Sequence, residues 1–370
     1  MQPKKMTSFD PTEDQQAFIE SVHRYAQSDM RKHLRPADET GAVPEQVLAA
    51  GWGLGFAPAS IPEEYGGFAN EQPAITAALA YEELAWGDLS ATLQMLAPTL
   101  LAYAVRECGS TVQKETFLPQ LCGVQPPALT AALLEPVHQF NPRALETTAS
   151  IANGGFVLNG EKAFVPLADG ADTILVYAAS EDTGTEAFLV PSDNPGLKVG
   201  KKEKLMGLKA LPAFRVALDD CKLPESARLG EGLGLQIDAL LARSNVALAA
   251  LAVGIGRAAL EYARDYAKER VAFGEPIASR QSIAFMLAEM AIEVDATRLM
   301  TWEAAWLLDQ GEDATEASML ARHYADEMAL QVADSAVQVL GGHGYIREHP
   351  VELWLRNARG FGAMDGMAIL

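Results

Sequence analysis

The segment Met364-Asp365-Gly366-Met367 places one carboxylate among small and apolar residues. Two interpretations are open: the segment is a hydrophobic tail that carries one acid, or it holds an acid in an apolar pocket. Solvated chain ends are rarely built from such residues. A carboxyl group in an apolar pocket has a raised pKa and can transfer protons near neutral pH. Asp365 is therefore a residue that could do chemistry.

Several common catalytic and binding patterns are missing from the sequence. It contains no H-E-x-x-H, no C-x-x-C, no G-x-S-x-G, no phosphate-binding loop and no G-x-G-x-x-G between a strand and a helix. The six histidines have no metal-ligand spacing, and neither have Cys108, Cys122 and Cys221. Hydrolase, metalloenzyme, kinase and Rossmann-type nucleotide functions lose support, and we expect no metal site.

Composition and charge narrow the class of protein further. The 370 residues carry a net charge of −20, with 49% hydrophobic and 21% charged residues. This balance is typical of a globular protein and disfavours nucleic acid and anionic membranes as partners. Three cysteines without motif spacing indicate free thiols in a reducing compartment. The start lacks a hydrophobic signal core, and the longest apolar run, 246–256, is too short to span a membrane. We expect a cytoplasmic protein.

The elements that must position Asp365 fall into three zones, which predict an α+β fold that is mostly α. Residues 1–125 predict an N-terminal helical domain, with helical periodicity at 14–34 and 74–107. Residues 126–230 contain six or seven short β-like runs, with a hairpin signal at Asn153-Gly154, and predict an antiparallel β-barrel or double sheet.

The last zone, 231–370, predicts a C-terminal four-helix bundle. Its helical segments cover 232–270, 280–309 and 312–341, with short breaks between them. The preceding zone ends with a basic cluster that we interpret as a solvated loop, with contact to a ligand phosphate as the alternative. Its members are Lys198, Lys201, Lys202, Lys204 and Lys209.

Several segments in these zones carry a joint resemblance. R-V-A-F-G-E-P-I-A-S-R-Q covers 270–281, and A-V-Q-V-L-G-G-H-G-Y covers 336–345. R-N-A at 356–358 precedes the Asp365 segment, while I-P-E-E-Y-G-G (61–67) and F-V-L-N-G-E-K-A-F (156–164) stand earlier in the chain. In this order they resemble the acyl-CoA dehydrogenase flavoprotein family over essentially the whole chain. Each segment alone is a weak signal, but together they are specific.

The resemblance implies a flavoprotein that binds FAD at a subunit interface, as a homotetramer or dimer of dimers. An Arg fork suits a pyrophosphate, and paired glycines let backbone amides approach phosphate oxygens. Leu134 and Phe164 stand where the family meets the flavin ring. The residues implied for the pyrophosphate and adenosine end of a neighbouring subunit's FAD are Arg270, Phe273, Gln281, Gln338, Gly341 and Gly342.

The resemblance also implies a reaction, the dehydrogenation of an acyl-CoA or other acyl thioester in lipid metabolism. Asp365 stands at the family's base position, which would remove the α-proton while the β-hydrogen leaves as hydride to flavin N5. Arg243 is retained and implied to lie near the thioester. The family's other base position is Ala242, so no second carboxylate is available there. An electron-transfer flavoprotein is a candidate electron acceptor.

The sequence departs from the family pattern around the flavin ring and the acyl group. Asp365 replaces Glu, which shortens the side chain by about 1 Å, and misplacement on that scale can cost about a hundredfold in rate. T-E-P-G-A-G-S-D becomes 134–141, L-E-P-V-H-Q-F-N, and W-I-T becomes 164–166, F-V-P. Met367 replaces a Thr.

Three hypotheses therefore stay open at this point. The first is an FAD-dependent acyl-CoA dehydrogenase with Asp365 as base and an unusual acyl group. The second is a flavoenzyme of the same fold that performs oxygenation or elimination. The third is a non-catalytic subunit that contributes Arg270 and Gln338 to a partner's FAD.

Overall fold

The structure, a computed structural model, describes residues 10–69, 73–152, 154–180, 183–230 and 235–370. Helices, a β-sheet and further helices follow one another along the chain, which confirms the predicted α+β order. The N-terminal helices are α1 (Glu13–Tyr25), α2 (Arg31–Thr40), α3 (Glu45–Trp52), α4 (Pro73–Gly87), α5 (Leu89–Cys108) and α6 (Thr111–Phe117). A π-helical segment, Ala26–Met30, joins α1 to α2.

The helical run predicted over 74–107 is divided at Asp88 into α4 and α5. The buried Asp88 carboxylate accepts hydrogen bonds from the backbone N–H groups of Ser90 (2.8 Å) and Ala91 (3.4 Å). This is an N-cap, in which a side-chain oxygen satisfies the first free N–H groups of a helix. Burial raises the pKa of Asp88 to about 7. Periodicity did not show the break because apolar residues continue on both sides of it.

The middle zone forms a seven-stranded sheet in the order β1-β4-β2-β3-β7-β6, with β5 paired to β4. The strand pairs β2–β3, β3–β7, β4–β5 and β6–β7 are antiparallel, whereas the pair β1–β4 is parallel. The strands are β1 (Leu129–Ala132), β2 (Thr148–Ala152), β3 (Gly155–Pro166), β4 (Thr173–Ser180), β5 (Gly184–Pro191), β6 (Leu197–Lys202) and β7 (Ala213–Pro224).

Two features of this sheet differ from the expectation. The contacts of β4 with β1 and β2 are parallel, because the chain crosses over before it returns beside them. The first three lysines of the basic cluster lie on the edge strand β6 rather than in a loop. Lysines on an edge strand discourage pairing with other strands. β2 and β3 pair as the hairpin signal predicts, although Asn153 itself lies outside the described residues.

Between residues 235 and 370, the described part of the C-terminal zone, there are three long helices and one short helix. They are α7 (Ile237–Glu269), α8 (Gln281–Asp309), α9 (Thr315–Leu340) and α10 (Val351–Ala358), with a two-residue hairpin pair, β8 (Val271–Ala272) and β9 (Glu275–Pro276), between α7 and α8. By length and composition α7 could cross a membrane, but 78% of its most apolar stretch is buried inside the fold. Buried apolar helices of this kind occur in the cores of soluble proteins.

Asp38 of α2 is a buried junction between all three zones. Its carboxylate accepts hydrogen bonds from Arg356 of α10 through both terminal nitrogens and from Arg347 Nη2, each at 2.8 Å. Lys209, which follows β6, lies 3.9 Å away. Burial opposes ionisation, but the hydrogen bond and charge of Arg356 outweigh it, so the pKa of Asp38 falls below its usual value.

Candidate active site

Asp365 lies two residues after the end of the 3-10 turn Phe361–Ala363, with 44% of its side chain exposed. Its Oδ1 is 3.6 Å from Nη2 of Arg322 on α9, which is an ion pair rather than a hydrogen bond. Burial raises the pKa of Asp365, and the charge of Arg322 acts in the opposite direction. The carboxylate is therefore partly desolvated, paired at a distance and still reachable from outside, as a general base must be.

Arg322 was missed by the sequence analysis, and it connects Asp365 to the bundle. Its side chain is 8% exposed, Nη2 donates to Phe361 O at 2.5 Å, and the guanidinium pairs with Asp326 one turn further along α9. Burial lowers the pKa of Arg322 to about 10. A signal did exist in the sequence, because the small residues of the buried face of α9 surround Arg322: Ser318, Ala321, Ala325 and Ala329.

A cavity of about 190 Å³ lies beside the Asp365 segment, and Phe164 lines it together with Met364 and Met367. Phe164 has a φ of +51°, in the left-handed region that non-glycine residues rarely adopt. On the opposite side the loop after β6 is fixed by the buried Asn357, whose Oδ1 accepts from Leu208 N at 2.8 Å. The cavity walls are mostly apolar, so the cavity suits a flat, largely apolar ring.

Leu134 and Phe164 are positioned by a buried ion pair. Lys162 Nζ donates to Glu135 Oε1 at 2.8 Å, and the Glu135 carboxylate also accepts from the backbone N–H groups of Glu146 and Thr147. Ala163 N donates to Leu134 O at 2.9 Å. Burial lowers the pKa of Lys162 to about 8. A pair of this kind fixes the backbone on both sides of it, because leaving either charge unpaired would be costly.

Arg243 lies on α7 with 18% of its side chain exposed, and its Nη2 is 3.3 Å from Glu107 Oε2. Burial and the neighbouring charge of Arg106 lower the pKa of Arg243. The next residue, Ser244, lines a second cavity, of about 20 Å³, whose wall also includes Gly366. Ala242, the residue before Arg243, is also buried. Its small apolar side chain needs no polar partner, whereas a carboxylate at this position would.

Gly366 has a φ of +73°, and a Cβ at this position would lie 2.6 Å from Leu133 Cδ2. The left-handed conformation and the close approach both favour glycine. The chain therefore turns tightly against β1 immediately after Asp365. The following residues, Met367–Leu370, are buried, and Tyr81 OH donates to Ile369 O at 3.0 Å.

The remaining candidate residues lie at one end of the bundle, where α7 ends, α8 begins and α9 ends. Arg270 is exposed there, and its guanidinium has no ion pair with any residue that the structure describes. Phe273 is 97% exposed with a φ of +55°. Gln281 and Gln338 are also exposed, and a Cβ on Gly341 or Gly342 would meet nothing within 4 Å.

The structure thus divides the predicted residues into two sets. Phe164 lines the larger cavity, and the Ala163 N–Leu134 O hydrogen bond holds Leu134 beside the same strand. Asp365 and Arg243 each directly precede a residue that lines the smaller cavity. The second set is exposed at the end of the bundle, and none of its members lines either cavity. One chain could therefore hold the ring end of a cofactor and present a separate surface for phosphates.

Comparisons with known proteins agree with this architecture. Three family models match the chain: acyl-CoA dehydrogenase N-terminal domain over 12–125, middle domain over 130–221 and C-terminal domain over 230–368. The human mitochondrial short-chain specific acyl-CoA dehydrogenase is 33% identical over 94% of this chain and 85% of that protein.

Two solved structures are similar over nearly their whole length. Butyryl-CoA dehydrogenase from Megasphaera elsdenii has a TM-score of 0.89 and 30% identity, covering 98% of this chain and 96% of that one. The FAD complex of PigA has a TM-score of 0.88 and 26% identity, covering 96% of this chain and 94% of that one.

Proposed function

The chain belongs to the acyl-CoA dehydrogenase family, flavoprotein oxidoreductases that act on CH–CH groups, and we propose that it dehydrogenates short acyl-CoA thioesters with Asp365 as the base. The observation that carries the proposal is the partly desolvated Asp365 carboxylate, held opposite Arg322 at 3.6 Å beside an apolar cavity. Short chains are favoured because two of the similar proteins are a short-chain specific enzyme and a butyryl-CoA dehydrogenase.

FAD is the cofactor, and the residues present fit it. The exposed Arg270 has no carboxylate partner among the described residues, so its guanidinium is free for a phosphate. Gly341 and Gly342 have open space where a side chain would be, which lets their backbone approach a ligand. Gln281 and Gln338 add amides to the same surface, and the exposed Phe273 ring can cover the adenosine end. We propose that Phe164 and Leu134 line the ring end.

The proposed mechanism assigns a task to each side chain around the acyl group. The Asp365 carboxylate takes the α-proton of the thioester at one of its oxygens, and Arg322 keeps that carboxylate ionised beforehand. Met364 and Met367 exclude water from the cavity, which strengthens the electrostatic interactions inside it. Arg243 orients the thioester from the mouth of the site. Bound FAD supplies the acceptor for the hydride that leaves the β-carbon.

We further propose three domains, 1–125, 126–230 and 231–370, a homotetramer or dimer of dimers, and a cytoplasmic location. Exposed apolar side chains on α8 support the assembly, since Phe285, Ile292 and Leu299 are 58%, 64% and 45% exposed at seven-residue intervals. Such a stripe is typical of a helix that packs against another subunit. An electron-transfer flavoprotein is the proposed acceptor of the electrons. Sedimentation velocity of the FAD-loaded protein measures the assembly directly.

The function is tested by adding butyryl-CoA to the purified, FAD-loaded protein under anaerobic conditions. We expect the flavin absorbance to bleach and to recover when an artificial electron acceptor is added. A yellow protein that no member of a panel of acyl-CoA thioesters bleaches would contradict the proposal.

The same preparation separates the other two hypotheses. Turnover that requires oxygen, or that releases a leaving group from the thioester, would indicate oxygenation or elimination. The replacement of W-I-T by Phe164-Val165-Pro166 is the observation that favours this second function, because it removes a hydroxyl and a backbone N–H donor beside the ring. A protein that stays colourless with excess FAD would indicate a non-catalytic subunit.

A further inference from the structure

The cavity of about 20 Å³ beside Ser244 is closed by elements from three parts of the chain. Leu100 of α5, Leu133 after β1 and Leu240 of α7 form apolar walls, and Gly366 and Ile369 close one side. A space of this size accepts about one water-sized group. The cavity is thus the narrow end of a site rather than a whole binding site.

Two residues that carry hydroxyl groups, Ser244 and Tyr177, line this otherwise apolar space. Ser244 is 5% exposed, and its Oγ has no hydrogen-bond partner among the residues that the structure describes. Tyr177, from β4, is 6% exposed and lines the same cavity. Burial raises the pKa of Tyr177 far above neutral, so the side chain remains a neutral hydroxyl that can donate. A buried hydroxyl without a partner is unfavourable, and native structures rarely keep one unless something binds it.

The position of the cavity connects it to the reacting atoms of the proposed reaction. Gly366 follows Asp365 directly, and Ser244 follows Arg243 directly, so both candidate residues adjoin the cavity wall. We place the far end of an acyl group whose α-carbon lies at Asp365 in this cavity, because Gly366, the residue after Asp365, forms part of its wall. The far end must be small because the space is small, and its polarity must match the two hydroxyls.

Resting on the proposed function, we propose that Ser244 and Tyr177 hydrogen-bond an oxygen-bearing group at the distal end of a short acyl chain. The preferred thioester is therefore a short acyl-CoA that carries a terminal hydroxyl or carbonyl, rather than a plain alkyl chain. A site that pairs a substrate hydroxyl rejects the analogue without it, because its own buried polar groups are then left unpaired.

The test compares two thioesters of equal size, 4-hydroxybutyryl-CoA and pentanoyl-CoA, which differ by a hydroxyl in place of a methyl group. Calorimetry with the FAD-loaded protein gives Kd for each, and the artificial-acceptor assay gives kcat/KM. We expect 4-hydroxybutyryl-CoA to bind about tenfold more tightly. Ser244→Ala should remove most of that preference, and Tyr177→Phe should reduce it in the same direction.

Ser318→Ala is the matched control, because Ser318 is a fully buried helix serine whose Oγ already donates to Thr315 O at 3.0 Å. It should leave the preference unchanged. Equal Kd values in the unmodified protein, or the same ratio in Ser244→Ala as in Ser318→Ala, would overturn the inference while bleaching by butyryl-CoA preserved the proposed function. A Kd preference without flavin reduction by either thioester would support the assigned contacts and overturn dehydrogenation.

Discussion

The end of the C-terminal bundle and the segment around Asp365 hold their charged groups in different ways. At the end of the bundle, Arg270 is exposed and pairs with no carboxylate among the described residues. Around Asp365, Arg322 is buried, donates to Phe361 O and pairs with Asp326 and Asp365. The cation of Arg270 therefore has no partner within the described fold, whereas the cation of Arg322 is balanced by carboxylates within the fold.

This difference indicates which part of the site an external charged group completes. Arg270 and the glycine pair lie at the same end of the bundle, and the proposed partner of this guanidinium is an external group such as a pyrophosphate. The Asp365 carboxylate instead has its protonation adjusted by internal neighbours, which suits an acid or base. Accordingly the motifs at the end of the bundle follow the family pattern, whereas the Asp365 segment departs from it and depends on a contact outside any motif.

The largest effect is expected from Asp365→Asn, which keeps the shape of the side chain and removes the proposed base. Flavin reduction by butyryl-CoA should slow roughly 100- to 10,000-fold, the usual contribution of a positioned general base. Anaerobic stopped-flow absorbance measures it. Asp334→Asn, at an exposed position on the same helix as Arg322, is the control and should reduce normally. Undiminished bleaching in Asp365→Asn would show that the base is another group.

A smaller effect is expected from Arg270→Ala, which tests the other region. Loss of a charge-assisted hydrogen bond to phosphate should weaken FAD binding about tenfold, measured by quenching of flavin fluorescence. Arg264→Ala is the control, since Arg264 lies on the same helix and already pairs with Asp265 at 2.8 Å. If both variants bind FAD alike, the end of the bundle does not carry the phosphate contact.

The smallest effect is expected from Arg322→Met, read in the pH dependence of kcat/KM. Burial raises the pKa of Asp365 and Arg322 lowers it, so removing Arg322 leaves burial unopposed. Asp365 acts as a base only when ionised, so the acid limb of the profile should move to higher pH. Activity at neutral pH should then fall severalfold.

Arg322→Lys keeps a cation in place and should return the acid limb towards its original position. A profile for Arg322→Met that overlays the original, together with a lower Tm, would assign Arg322 to stability alone. These two variants therefore separate control of the Asp365 charge from support of the Phe361 turn.

The local sequence pattern was sufficient to predict some secondary-structure elements and insufficient to predict others. β3 begins directly after the hairpin signal at Asn153-Gly154 and covers one of the predicted β-like runs, because turn residues bound that run clearly. The lysines that dominate β6 predict a loop, whereas the strand is visible only in the alternation of Leu197 and Val199 with exposed residues. The parallel contacts of β4 depend on pairing between distant segments, which no local pattern records.

The residues of the candidate site likewise divide into those that motifs predict and those that only the structure reveals. Motifs predicted Asp365, Arg243 and the glycine pair as site residues, because each belongs to a short segment that resembles the family pattern, and these assignments stay predictions. Arg322 precedes Asp365 by 43 positions in the sequence, and its contact with Asp365 depends on how α9 packs against the Phe361 turn. The unpaired Ser244 hydroxyl is likewise visible only when the surroundings of its Oγ are known.

The contacts of Asp38 with all three zones have a consequence for how the protein unfolds. One carboxylate on α2 holds Arg356 and Arg347 from the C-terminal zone and lies beside Lys209 from the middle zone. Separating any one of these segments from the others would leave a buried charged group without its partner. Local unfolding of a single zone is therefore unfavourable. The three zones are therefore expected to melt in one cooperative transition, even though the β-zone has a hydrophobic core of its own.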